Sequence, residues 1–160
     1  MFKYLTYFFC LFSIGLTACD EARVFEENHE LDNKIWLSDS IIDFQFDIKN
    51  SKKNYNIYYN IRNTVSYPYR NIYVNYSLED TSGTKLRANL VNTDLFNPKT
   101  GRPLGSGLGD VFDHQVLLLE NYKFRSAGVY NFKIQQYMRR DSLLDILAVG
   151  VRVEENLAQE

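Results

Sequence analysis

The sequence predicts an all-β domain: a two-layer antiparallel β-sandwich of jelly-roll type with about eight strands. Three observations carry that prediction. Apolar residues recur with period two over several runs, turn-forming residues punctuate those runs, and no amphipathic stretch is long enough for the crossover helices of a parallel sheet. The bulk properties agree with one globular domain, since 45% of the 160 residues are hydrophobic, 24% are charged, and only three are Pro and eight Gly. Disorder, collagen and coiled coil are excluded on those numbers.

The alternation is clearest in Ile42, Phe44, Phe46 and Ile48, interleaved with Asp43, Gln45 and Asp47. One face of that strand goes to a core and the other to water. After the turn Asn50-Ser51-Lys52-Lys53, the run Tyr55, Ile57, Tyr59 and Ile61 repeats the pattern against Asn54, Asn56, Tyr58, Asn60 and Arg62. A third run beyond Pro68 carries Ile72, Val74, Tyr76 and Leu78 against Asn71, Tyr73, Asn75 and Ser77. It stops at Asp80-Thr81-Ser82-Gly83, where Gly allows a positive φ. Leu86, Ala88 and Leu90 open the next strand, with further strands expected over 24–31, 111–118, 129–137 and 146–154 and an edge segment near Trp36. Asn97-Pro98-Lys99-Thr100-Gly101 and Gly128 are turn signals. The single helical hint is Leu143, Leu144 and Leu147 behind Asp141-Ser142, which reads as a connecting turn before the last strand.

Ahead of the strands, residues 1–18 read as an export signal, with Lys3 at its start, an apolar run from Leu5 to Gly15 and small residues before the cut. The run is about half of the roughly 20 residues that span a bilayer. Leu16-Thr17-Ala18-Cys19 has the form of a bacterial lipobox, in which Cys19 is acylated and becomes the new first residue. Stable anchoring takes at least two acyl chains, a condition that a lipidated Cys19 meets. The expected organisation is a lipoprotein signal peptide over 1–18, the lipidated Cys and a short tether over 19–22, and a β-sandwich over 23–160. Cys10 leaves with the signal, so thiolate catalysis, disulfides and cysteine metal ligation are not expected.

Charge excludes one partner class, for 18 Lys and Arg against 20 Asp and Glu give no basic field for nucleic acid. Two His and two Cys are too few for a zinc site. Gly105, Gly107, Gly109 and Asp110 invite comparison with phosphate-binding loops. The third Gly falls one residue early, no Lys-Ser or Lys-Thr follows, and the next run is strand-like, so a loop or bulge is expected. Asp110 and Asp113 fall short of a calcium loop. His29 and His114 lack partner groups and read as surface histidines, and no nucleophile motif is present. Neither an enzyme nor a cofactor is expected.

The outward strand faces are more informative. They present Tyr58 and Tyr73 among asparagines, and Tyr67-Pro68-Tyr69-Arg70 adds an aromatic loop at a strand end. Tyrosine offers apolar area with a hydroxyl, and amides both donate and accept, so such a face suits a protein partner or a glycan. An exposed edge strand would allow β-augmentation as well.

Four stretches then resemble the gliding-motility lipoprotein family GldH of gliding bacteria. They are Tyr67-Pro68-Tyr69 with Asn71 to Val74, Gly105 to Asp113, Tyr130 to Arg139, and Val149 to Glu154, behind the lipobox and Arg23 to Glu27. The resemblance implies an envelope lipoprotein at the outer membrane that works with the machinery exporting and moving adhesins, with no catalytic residues. Cys19 is the residue whose role it transfers. Asp20-Glu21 fits inner-membrane retention under the enterobacterial rule and surface export under the rule of this group, so the leaflet stays open. Asp39-Ser40-Ile41 and Asp141-Ser142-Leu143 resemble short O-glycosylation signals of such bacteria.

Overall fold

The computed structural model of the chain describes residues 20–157. The signal segment and the lipidation position Cys19 lie outside the described residues. Eleven strands follow one another: β1 (Arg23–Glu30), β2 (Ile35–Leu37), β3 (Ile42–Ile48), β4 (Tyr55–Thr64), β5 (Asn71–Asp80), β6 (Lys85–Asp94), β7 (Ser106–Leu108), β8 (Val111–Tyr122), β9 (Gly128–Gln136), β10 (Ser142–Leu144) and β11 (Ile146–Glu155). They form a five-stranded sheet in the order β1-β11-β4-β8-β7, a four-stranded sheet in the order β3-β9-β5-β6, and a two-stranded β10-β2 ribbon. Every pairing is antiparallel. Without the three-residue strands β2, β7 and β10, the eight long strands wrap in jelly-roll order across two layers, as the sequence predicts.

Period two sorts the side chains as expected in β3, β4, β5 and β9, whose inner residues make the core. Ile57, Ile61, Ile72, Leu78, Phe132 and Val151 all meet between the layers. Across that interface the Tyr59 hydroxyl bonds the Thr93 hydroxyl, joining β4 to β6. One end of the core is an aromatic cluster, with Phe124 edge-on to Tyr55 at 5.4 Å and to Tyr122 at 4.9 Å and tilted against Tyr130 at 4.5 Å. Trp36 helps close the other end. It is fully buried, and its indole N–H donates to the Ser40 carbonyl at 3.2 Å.

Two expectations fail for identifiable reasons. The segment around Leu143 is not merely the connecting turn expected but strand β10, in which Leu143 lies opposite Trp36 and both are buried. Extended backbone lets Leu143 face the core while Ser142 and Leu144 face out. In β6 the alternation is out of phase with the expected one, leaving Ala88 and Leu90 exposed. The pairing with β5 slips between Leu78 and Glu79, so Leu86 is the extra residue of a bulge and beyond it Val91 and Thr93 turn inward.

Because all eight long strands run the length of the sandwich, the loops collect at two ends. The end at which the chain enters holds residues 20–22 and the β3–β4, β5–β6 and β8–β9 turns; we call it proximal. The distal end holds the β1–β3, β4–β5, β6–β8 and β9–β11 connections. Residues 20–22 are tied to β11: the Ala22 carbonyl accepts from the Glu155 N–H at 2.7 Å, and Asp20 is ion-paired with Arg152.

Candidate functional site

The expected binding residues divide between places. Tyr58 is half-buried on the outward face of β4, in the five-stranded sheet, whereas Tyr73 faces outward from β5, in the four-stranded sheet. The two rings therefore lie on opposite sides of the sandwich and share no surface, which corrects the single aromatic face expected from the sequence. Tyr67 is only 5% exposed. It stacks on Phe96 at 6.4 Å, meets Tyr69 edge-on at 5.7 Å, and donates its hydroxyl to the Asn71 carbonyl at 3.1 Å. Burial pushes that hydroxyl's pKa well up. Tyr67 thus supports the loop from inside while Pro68 and Arg70 remain exposed, the latter paired with Asp94 at 3.1 Å.

Tyr69 and Tyr73 instead join residues the sequence did not single out as a site. The Tyr137 N–H donates to the Tyr73 carbonyl at 2.7 Å, and the Tyr73 N–H reaches Met138 Sδ at 3.3 Å. With Leu90 of β6, Arg139 and Arg140 they line an open groove of about 570 Å³ at the distal part of the four-stranded sheet. Tyr73 is 38% and Tyr137 59% exposed. Buried Gln136 fixes the far wall, since its amide donates to the Arg140 carbonyl at 2.9 Å and its oxygen accepts from the Met138 N–H at 2.8 Å. The guanidinium groups of Arg139 and Arg140 have no ion pair among the described residues. An unbalanced Arg pair directly after an aromatic strand end was the available signal.

The glycine-rich segment is a hairpin. Gly109 and Asp110 form the two-residue loop between β7 and β8, with Gly109 at φ 69°, where a hairpin turn needs glycine. A Cβ on Gly105 would stand 2.5 Å from the Asp113 carbonyl and 2.9 Å from the His114 ring, and one on Gly107 would collide with the Val111 carbonyl. These glycines permit close backbone approach within the protein itself. Asp113 pairs with Arg62 at 2.7 Å, and Asp110 is exposed. His114 is not the surface residue expected: it is 6% exposed, and its Nε2 is buried with no partner among the described residues. The β7–β8 pairing folds Gly105 over the ring, a contact invisible in the linear sequence. His29 is exposed. No group of three or more His, Cys, Asp and Glu placed to hold a metal occurs among the described residues.

Comparison with known proteins adds the decisive observation. Residues 23–153 match the family described as GldH lipoprotein. The chain belongs to the GldH lipoprotein family. Its relatives include the gliding motility lipoprotein GldH homolog of Christiangramia forsetii, 33% identical over 93% of this chain and 94% of that protein. Another is the gliding motility lipoprotein GldH of Flavobacterium johnsoniae, 30% identical over 91% and 92%. The GldH match opens at the first residue of β1 and runs into β11, so it covers the whole sandwich. Among solved structures, the VP2 subviral particle of infectious bursal disease virus is similar at a TM-score of 0.43 and 15% identity, over 89% of this chain and 37% of that one. At that distance the likeness carries no functional information.

Proposed function

We propose that this chain is a lipid-anchored envelope protein of gliding motility, held at the outer membrane by acyl chains on Cys19, that acts by contact and not by catalysis. Family membership and the names of its relatives support the motility role, and the lipobox supports the anchor. No helix among the described residues is long and apolar enough to cross a membrane.

The observation that carries the contact reading is where the exposed apolar side chains stand. Leu37, Ile41, Val65, Leu104, Leu108, Tyr137 and Leu144 sit at the distal end, against Val24 and Leu157 at the proximal one, and Leu108, at the tip of the β7–β8 hairpin, is 94% exposed. Soluble surfaces leave large apolar residues scattered, and their concentration at one end marks a docking surface. The occupant we assign is a segment of another envelope protein bearing carboxylates. Its apolar side chains would enter the groove between Tyr73, Leu90 and Tyr137 while the acids meet Arg139 and Arg140. The two exposed tyrosine rings also favour a saccharide as a second reading; Leu90 and Met138, which offer it no hydrogen bond, weigh against that.

Photocrosslinking from position 137 in living cells tests the first reading. It predicts capture of an envelope protein of the motility or adhesin-export machinery, loss of that capture with Tyr73→Ala plus Arg139→Gln, and retention with Tyr58→Ala. Capture that the groove variant leaves unchanged rejects the groove as the interface. Saturable binding on a glycan array, abolished by Tyr73→Ala, would establish the saccharide instead.

A further inference from the structure

We infer that the proximal end of the sandwich is a second membrane contact, in which basic loop residues lie on anionic phospholipid headgroups. This rests on the acyl anchor at Cys19 proposed above, but it arises from a different observation. Asp20, joined to Cys19 by one peptide bond, is not on a loose linker. Its carboxylate is paired with Arg152, and its carbonyl accepts from the Arg23 N–H at 3.2 Å. Consecutive Cα atoms are about 3.8 Å apart, so acyl chains at position 19 bring the bilayer surface up against this end.

The charges there are suited to that neighbour. The proximal turns carry Lys49 and Lys53, paired with Asp47 and Glu155, and also Lys52, Lys85, Lys123 and Arg125. The last four have no ion pair among the described residues, and all four are exposed. Of the acids at the same end, Asp47 and Glu155 are neutralised by lysines, and Asp80 is occupied by the N–H groups of Ser82 at 2.9 Å and Thr84 at 3.0 Å. Asp80 keeps its charge, and Glu21 and the exposed Glu120, two residues inside the end of β8, are the other acids there without an ion pair among the described residues. The chain as a whole has a net charge of −2, whereas at this end the four unpaired cations outnumber the unpaired acids. Each Lys or Arg near an anionic leaflet adds to membrane affinity. The distal end is a ten-residue strand away, roughly 33 Å, which exceeds a Debye length of about 8 Å at physiological salt. The basic end is thus held on the headgroups while the distal end projects from them, and the sandwich stands upright.

The test uses the acylated protein in vesicles of phosphatidylcholine and phosphatidylglycerol in equal parts, or of phosphatidylcholine alone, with a headgroup-linked quencher. A fluorophore is placed at Thr81→Cys, proximal, or at Ser66→Cys, distal. Severalfold stronger quenching at 81 than at 66 is expected in the anionic vesicles. The contrast should shrink in neutral vesicles, in molar salt, and in the K52Q/K85Q/K123Q/R125Q variant. Equal quenching at the two sites in protein that still floats with anionic vesicles overturns the upright contact and leaves the anchor standing. An unmodified Cys19 by mass spectrometry, with protein that does not float, rejects both. The comparison of vesicle compositions uses only the two probe variants, so it decides the matter even if the quadruple variant folds poorly.

Discussion

At residue scale the most informative side chain is His114. Burial holds its imidazole below the usual pKa, against a smaller opposite pull from Asp113. A lowered folded pKa means that the unfolded chain binds the proton more readily. The stability tied to His114 is therefore complete above about pH 6.5 and falls as the pH drops from there toward the folded value. His114→Phe should flatten urea midpoints measured across that window, and an unchanged slope would show that the ring is solvated. Gly105 presses on the same ring, so Gly105→Ala should cost about 1–3 kcal/mol by overpacking. Gly105→Ala combined with His114→Ala should recover part of that loss if the ring is the obstacle.

At the scale of elements, the groove depends on the segment after β9 being held against β5. Gln136 is the brace, so Gln136→Leu should leave the Arg140 carbonyl without its donor and the Met138 N–H without its acceptor, at a cost of about 1–3 kcal/mol. Hydrogen exchange should then rise over 137–140 and not over β5. The aromatic cluster at the proximal end is a separate unit, in which Phe124 touches four other rings, those of Phe46, Tyr55, Tyr122 and Tyr130. Phe124→Ala should cost about 3–5 kcal/mol, read as a lowered denaturation midpoint with partner capture at the distal groove unchanged below it.

For the whole molecule, charge pairing ties neighbouring strands within each layer and fastens the entering chain to the five-stranded sheet. Arg152 lies among Asp20, Glu26 and Glu154, and although burial works against its charge, those hydrogen bonds raise its pKa. The hydrogen bond from Arg152 likewise holds the Asp20 carboxyl below its ordinary range, as that from Lys133 does for Glu79. With depressed folded values, both carboxylates contribute stability that is complete above about pH 4.3 and lost as the pH falls through those values. Arg152→Gln should therefore weaken the protein near neutrality and make its acid unfolding less steep. It should also expose residues 20–22 to protease, and an intact segment in that variant would show that the backbone bonds to β11 suffice.

Much was legible in the sequence because one-faced burial writes itself as period two. β3, β4, β5 and β9 could be placed from Ile42, Tyr55, Ile72 and Tyr130 onward, and with turn residues between them the two-layer class followed. The lipobox and the family resemblance were likewise linear signals. Tertiary structure alone decided which strand belongs to which sheet, and so parted Tyr58 from Tyr73. It also set the bulge that turns Leu90 outward and made a strand of 142–144 by giving Leu143 the partner Trp36. The physical reason is common to all three: pairing partners such as β5 and β9 are brought together by chain closure over many residues, and a one-residue slip in that pairing exchanges core for surface. The groove of Tyr73, Leu90 and Tyr137 exists only because β9, distant in sequence, pairs beside the β5–β6 hairpin and carries Tyr137 at its end.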